Sequence, residues 1–502
     1  MEILSFQPDL RRELPLVEGP KEYREQRALF VRLDKLLVQS GLECSFIEKS
    51  IKHRGIDLSK RSAKQVARLH EGCVLALRSN LARQITGMNH REFCIRLADS
   101  SLLQWFLNVG KIDSIKAFAK STSDRFAHCI DAASLQELNI ELIALLHADS
   151  ESDVNVNFDL ADSISFADIY FDSTCLKAPI HHPADWVLLR DATRTLMKAT
   201  DRIRKNGLRK RMPQEALIFL SDMNTLCMAM TAKNRTQDGK KHRKAVLRKM
   251  KKLLKRVERH ARTHLILLKE NAEETKLSPG VVQNILTQSE AILEQLPAIV
   301  KQAHERIIGG RKLSNKDKTL SLYDGDVQVI KRGKSNAEVE FGNNLWIGEN
   351  SDGLIVDYLL EKKKTSDAKQ IEPAITRLVE EQSLPLKSVW GDRGLHSADN
   401  EATLESHEIR SGLCPRNVKE LSSRLNDEPG MREGLKRRAG TEARISIIIR
   451  KFIGTPARAK GFKHREMMVG WAVLSHNLWK LARMPQKETS QGAVDPDVPK
   501  AA

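Results

Sequence analysis

Apolar residues recur every three to four positions through most of the first 150 residues. In RSAKQVARLHEGCVLALRSNLARQI, Val66, Leu69, Val74, Leu77 and Leu81 fall near one face of a 3.6-residue period, and SLLQWFLNVG follows as a further apolar helix or turn. Residues 1–150 are therefore expected to be an α-helical domain. The rhythm changes in NVNFDLADSISFADIYFDSTCLKAP, where β-branched and aromatic residues replace the helical period and Pro179 closes the run. That segment predicts a strand ending at Asp172. Helical spacing returns from Trp186 to about Ile308, and within it Val246, Met250, Leu253, Val257, His264 and Leu268 form an apolar seam at spacings of three, four and seven. Beyond it, DVQVIKRGK, NNLWIGENSDGLIVDYLLEKK with a turn at 350–353, LKSVWGD and SGLCPR read as strands, with DAKQIEPAITRLVEEQ as a helix among them. Such alternation predicts an α/β fold, a mixed sheet with helices packed on it. RRAGTEARISIIIRKF is expected to be helical, although Ser446 to Ile449 is β-prone. Trp471, Leu474, Leu478 and Leu481 make a core-facing helical stripe, and the polar stretch 486–502 is expected to be disordered.

At 502 residues the chain exceeds one compact core, and 41% hydrophobic against 29% charged residues is a globular composition. Lys and Arg number 83 against 65 Asp and Glu, a net charge of +18, which points to a polyanionic partner. Most of that excess is local: residues 201–270 hold 21 Lys and Arg against 6 Asp and Glu. Charge this dense on a helical face repels itself without a polyanion, so DNA contact through Arg243, Lys244, Arg248 and Lys252 is expected. No apolar run approaches the ~20 residues that cross a bilayer, and the first residues lack the succession of a signal peptide. A cytoplasmic protein without a membrane partner is expected. The seven cysteines are scattered and never spaced as CxxC, which fits a reducing compartment. His181 and His182 read as a Pro-flanked surface turn rather than metal ligands.

The chemistry centres on acids. Asp172 in FDST and Asp392 in GDRG each stand where an apolar run ends, the position at which open α/β sheets present catalytic groups. If the two meet, they are poor company without a cation, and Mg²⁺ needs only one or two carboxylates besides water and phosphates. Glu442 is a candidate third acid, set among Arg437, Arg438, Arg444, Arg450 and Lys451. The competing reading is an ordinary helical ion pair with Arg438. Asp326 and Glu340 are alternatives to Asp172 should the strand be displaced. Trp346 is either a stacking platform or, on an alternating strand, core.

FDST, the GK…EFG segment of KRGKSNAEVEFGNNLWIGENSDGLIVDY, GDRGLHSADN, RRAGTEARISIIIRKF and GWAVLSHNLWKLARM, in that order, resemble the DDE transposases of bacterial insertion sequences. The helical region 60–110 is more loosely similar to the N-terminal domain common in that group. The resemblance implies an RNase H-like mixed sheet with flanking helices, in which Asp172 ends the first strand, Asp392 follows the fourth and Glu442 lies on a later helix. The implied organisation is a helical N-terminal domain (1–150) for DNA ends, a catalytic domain in two parts (151–184 and 319–485), a basic α-helical insertion (185–318) and a tail (486–502). Asp172, Asp392 and Glu442 become a metal-binding triad for two Mg²⁺ or Mn²⁺ ions, and Arg438 a contact to DNA ends. Lys334, Arg393, Arg450 and Lys451 are further candidate DNA contacts; Ile449 stands where family members often carry a Lys. The implied partners are double-stranded DNA, both terminal inverted repeats and target, and a second copy of the chain in a homodimer. The implied setting is bacterial, cytoplasmic and nucleoid-associated. No ATP motif of the form GxxxxGK[ST] is present, and transesterification requires none. The rival expectations are an RNase H-like nuclease without strand transfer and a non-catalytic basic DNA-binding protein.

Overall fold

The computed structural model describes residues 13–14, 17, 19–110, 114–150, 158–181, 184–231, 238–314, 317–334 and 337–487. Seven helices open the chain: α1 (Lys21–Gln39), α2 (Leu42–His53), α3 (Ala63–Thr86), α4 (His90–Asp99), α5 (Ser101–Leu107), α6 (Lys120–Ala127) and α7 (Ala132–Ser150). Local signals start them. Ser62 and Gln65 form a reciprocal capping box on α3, and the Asn89 side chain accepts the N–H groups of Arg91 and Glu92 at α4. Of the predicted α3 face, Val74, Leu77 and Leu81 are buried and Val66 and Leu69 half-buried, so packing concentrates on the second half of the helix. There the buried Arg78 pairs with Asp34 of α1 and Glu43 of α2, tying three helices together.

Six strands form one mixed sheet: β1 (Asp168–Lys177), β2 (Gln328–Lys334), β3 (Ala337–Asn350), β4 (Ile355–Leu360), β5 (Ser388–Gly391) and β6 (Arg410–Leu413), in the order β2-β3-β1-β5-β6 with β4 also paired to β3. The β1–β5 and β5–β6 pairs are parallel, the β2–β3 and β3–β4 pairs antiparallel. β4 and β5 are buried almost throughout, the pattern of strands covered on both faces, while β1 is buried except at its ends and at Asp172 and Ser173. Two expectations are corrected here. Asp172 does not end β1, which runs on to Lys177 beside β3 after β5 has stopped at Gly391. Asp392 follows the fifth strand rather than the fourth, because β2 adds a hairpin arm to the start of β3.

By contacts the chain divides into two units. Residues 178–342 with 460–462 form one, and the remainder the other. The former holds α8 (Asp185–Lys205), α9 (Ala216–Thr231), α10 (Gly239–Glu270) and α11 (Pro279–Ala303), packed around Leu196, Met197, Phe219, Met223 and Leu293. Every member of the predicted α10 seam is buried.

The larger unit adds α12 (Ile371–Ile375), α13 (Ala398–Ser406), α14 (Val418–Asp427), α15 (Met431–Ile447) and α16 (Phe462–Leu481) to the sheet and to α1–α7. The β-prone Ser446–Ile449 segment is helical: α15 passes into a π-helical turn, Ile448–Ile453. Ile445, Ile448 and Phe452, three and four apart, are buried, and that apolar face overrides β propensity. α16 buries Trp471, Leu474, Leu478 and Leu481 as its stripe predicts. Most of the expected disordered tail lies outside the described residues. Among those described, no helix is long and apolar enough to cross a membrane.

Candidate active site

Parallel pairing sets Asp168 opposite Ser388, Ile169 opposite Val389 and Tyr170 opposite Trp390. Two residues further in the same register, Asp172 comes level with Asp392. The Asp392 carboxylate is held by the turn it opens: its Oδ1 accepts the Gly394 N–H at 2.8 Å. A Cβ at position 394 would lie 3.0 Å from that oxygen, so the close approach favours glycine in GDRG. Asp172 Oδ1 in turn accepts the N–H of Ser173 at 2.7 Å.

α15 supplies the other side. Arg438 Nη1 lies 3.9 Å from Asp172 Oδ2, with the two side chains 20% and 16% exposed. Burial pushes the Asp172 carboxyl up to about 6; the Ser173 N–H draws it down, the Asp392 carboxylate pushes it up, Arg438 lowers it and Glu442 raises it. Three acids and one arginine, from β1, the turn after β5 and α15, thus share one electrostatic neighbourhood. Glu442 is solvent-exposed at its rim.

One group that the sequence reading passed over holds α15 in place. Glu349, at the end of β3, is 0% exposed. Its Oε1 accepts from Arg437 Nη1 at 3.1 Å and Thr441 Oγ1 at 2.8 Å, and its Oε2 from Arg444 Nε at 2.9 Å. Arg437 also donates to the carbonyls of Asn350 and Ser351 and lies 4.8 Å from the centroid of the Tyr170 ring. The signal was available: a Glu inside the apolar run LWIGEN must find cations, and Arg437 and Arg444 are seven apart on a helix.

The remaining candidates separate. Arg393 and Arg450 are exposed. Lys451 is half-buried, its Nζ 4.2 Å from the Trp479 ring centroid and 5.7 Å from that of Phe452, and burial lowers its pKa. On α10, Arg248 and Lys252 are exposed together with Lys249, Lys255 and Arg259, whereas Arg243 and Lys244 are half-buried. The Lys334 side chain and His182 lie outside the described residues. Trp346 is core: it is fully buried, stacks on Phe171 and donates to Asp357 Oδ2 at 3.0 Å.

Asp172, Asp392 and Glu442 offer hard oxygen donors, the ligand type of Mg²⁺ and Mn²⁺, and mutual repulsion at Asp172 is what a divalent cation relieves. Among the described residues, however, no group of three or more His, Cys, Asp or Glu side chains is placed so that it could hold a metal ion. The donor chemistry suits such an ion, but the placement of the three carboxylates does not by itself make a site for one. Compared with known protein families, curated proteins and solved structures, the chain matches none.

Proposed function

We propose that the chain is a DNA transposase of the DDE class that cleaves phosphodiesters at the ends of a mobile element and joins them to target DNA. The observation that carries the reading is the placement of Asp172 on β1 beside Asp392, remote in sequence and in the turn after the neighbouring parallel strand β5, with Glu442 and Arg438 in electrostatic reach of Asp172. The strand order β4-β3-β1-β5-β6 around an antiparallel β3–β4 pair supports an RNase H-like sheet. The resemblance in FDST, GDRG and RRAGTEAR supports the same assignment of roles.

Asp172, Asp392 and Glu442 would hold two Mg²⁺ ions, which when bound activate the attacking oxygen and stabilise the leaving one. The chain's own groups do the rest. The Gly394 N–H fixes Asp392, the Ser173 N–H fixes Asp172, and Arg438 offsets the negative charge that gathers when a phosphate enters. The exposed cations of α10 supply sequence-independent grip on the DNA backbone. Joining two ends requires at least a homodimer in the active complex.

The test uses labelled duplexes from the flanks of the coding sequence. Asp392→Ala is expected to lower Mg²⁺-dependent end cleavage by roughly a thousandfold or more in a folded protein. Undiminished cleavage ends the reading. Pre-cut ends separate transposition from nuclease action, since a nuclease leaves them unjoined. That no group of three such side chains among the described residues is placed to hold a metal ion favours a second reading, a non-catalytic DNA-binding protein. In that case wild type binds duplex with a steep salt dependence and neither Mg²⁺ nor Mn²⁺ changes the DNA.

A further inference from the structure

Glu349 is the one Glu with no exposure at all among the described residues, and its side-chain partners, Arg437, Thr441 and Arg444, come from α15. An α-helix turns about 100° per residue, so these three partners crowd one edge of α15. Gly434 and Ile445 lie at the middle of its sheet-facing side, both buried. Arg438 and Glu442 fall on the opposite edge, the one in reach of Asp172. Gly434 lets the helix approach the sheet, for a Cβ there would lie 2.0 Å from Trp390. Met431 also packs with Tyr170 and Trp390, but apolar packing is non-directional and sets a distance more than a rotation about the helix axis.

We infer that Glu349 is a positioning residue: its carboxylate sets the rotation of α15, and thereby where Arg438 and Glu442 stand relative to Asp172 and Asp392. The inference rests on the transposase reading for its catalytic consequence, though not for its structural one. Two cations and a hydroxyl bonded to two oxygens define an orientation, as the non-directional packing of Met431 and Ile445 does not. Arg444 is further confined by Gly353, where any Cβ would lie 2.2 Å from its Nη2. Loss of the carboxylate lets α15 roll, and Glu442, on the far edge, swings with it. Glu349 itself is buried and bonds Arg437, Thr441 and Arg444 rather than Asp172 or Asp392.

The experiment compares full-length wild type, Glu349→Gln, Glu349→Asp and Asp392→Ala. Three quantities are measured: affinity for the end duplex, kcat for Mg²⁺-dependent cleavage, and hydrogen exchange over Met431–Ile447 with α3 as internal reference. In folded Glu349→Gln, kcat is expected to fall at least about tenfold with duplex affinity unchanged and exchange faster in α15 but not in α3. Glu349→Asp, which keeps the charge, recovers part of the loss and serves alone if Glu349→Gln does not fold. A wild-type kcat in the folded variant overturns the inference, as does a loss of affinity and turnover that merely tracks the folded fraction. If wild type shows no cleavage, or Asp392→Ala cuts equally well, the transposase reading fails by itself. The exchange data then decide the anchor, selective loosening of α15 supporting it and unchanged exchange overturning it.

Discussion

Single side chains carry the sharpest constraints. Trp390 lies just ahead of the turn that presents Asp392, and its ring fills the space beside Gly434 and Gly412, where a Cβ would lie 2.0 Å and 2.2 Å from it. Gly434→Ala is expected to destabilise the protein by about 1–3 kcal/mol through overpacking, read as a lower urea midpoint; an unchanged midpoint would show that the helix yields freely there. The buried Glu349 is a different kind of constraint. Removing Arg437 or Arg444 leaves its charge undercompensated, a loss of about 3–5 kcal/mol in comparable buried pairs. Asp172 and Asp392 were legible one at a time because each follows an apolar run. Glu349 was not singled out, because its meaning depends on partners in a helix far along the chain.

At the scale of elements, periodicity was a good guide wherever one face is buried. The α10 seam and the α16 stripe lie inside as their spacings require. The opposite face of α10 presents Arg248, Lys249, Lys252, Lys255 and Arg259 to solvent. If these grip DNA phosphates, Lys252→Gln lowers duplex affinity alike for unrelated sequences and reduces the slope of log K against log salt by about 1. A slope identical to wild type removes Lys252 from the contact. Helix ends were equally legible: Ser62→Ala breaks the α3 capping box and is expected to cost about 1 kcal/mol in thermal or urea unfolding. Strand ends were harder. β1 outlasts β5 because β3 flanks it on the other side, and no local signal in FDSTCLK marks that difference.

Within the larger unit, the N-terminal helices are bound to the sheet layer by a buried polar chain. Asn477 of α16 donates to Asn139 of α7 at 2.8 Å and accepts the Ile355 N–H of β4 at 2.8 Å, while both asparagines donate to the Ile355 carbonyl. Trp471 adds a bond to the Ala127 carbonyl at 3.1 Å. His476, beside Asn477, is held down to about 3 by burial and by Arg444, Lys480 and Lys451, against the opposing bond to Asn477. An unfolded imidazole titrates near 6.5, so below that pH the unfolded chain binds the extra proton. The stability contributed by neutral His476 is thus complete above pH ~6.5 and drains towards pH 3, by up to about 1.4 kcal/mol per unit. Urea midpoints at pH 7.5 and 5.0 check this, with His476→Asn expected to show the smaller drop. Equal drops in both proteins would assign the acid lability to other groups.

Local order was written in the chain: helices where apolar residues repeat at three and four, strands where β-branched runs end in turns, and a basic surface where Lys and Arg cluster. These rest on neighbours within a few residues, which the order of amino acids specifies directly. Convergence was a matter for the folded molecule. Asp172 meets Asp392 through the β1–β5 register, where a slip of one residue would turn each side chain to the other face. Arg438 comes within 3.9 Å of Asp172 from α15, the helix whose Arg437, Thr441 and Arg444 bond the buried Glu349. The first depends on segments 220 residues apart and the second on residues 88 to 95 apart, and no local period encodes either.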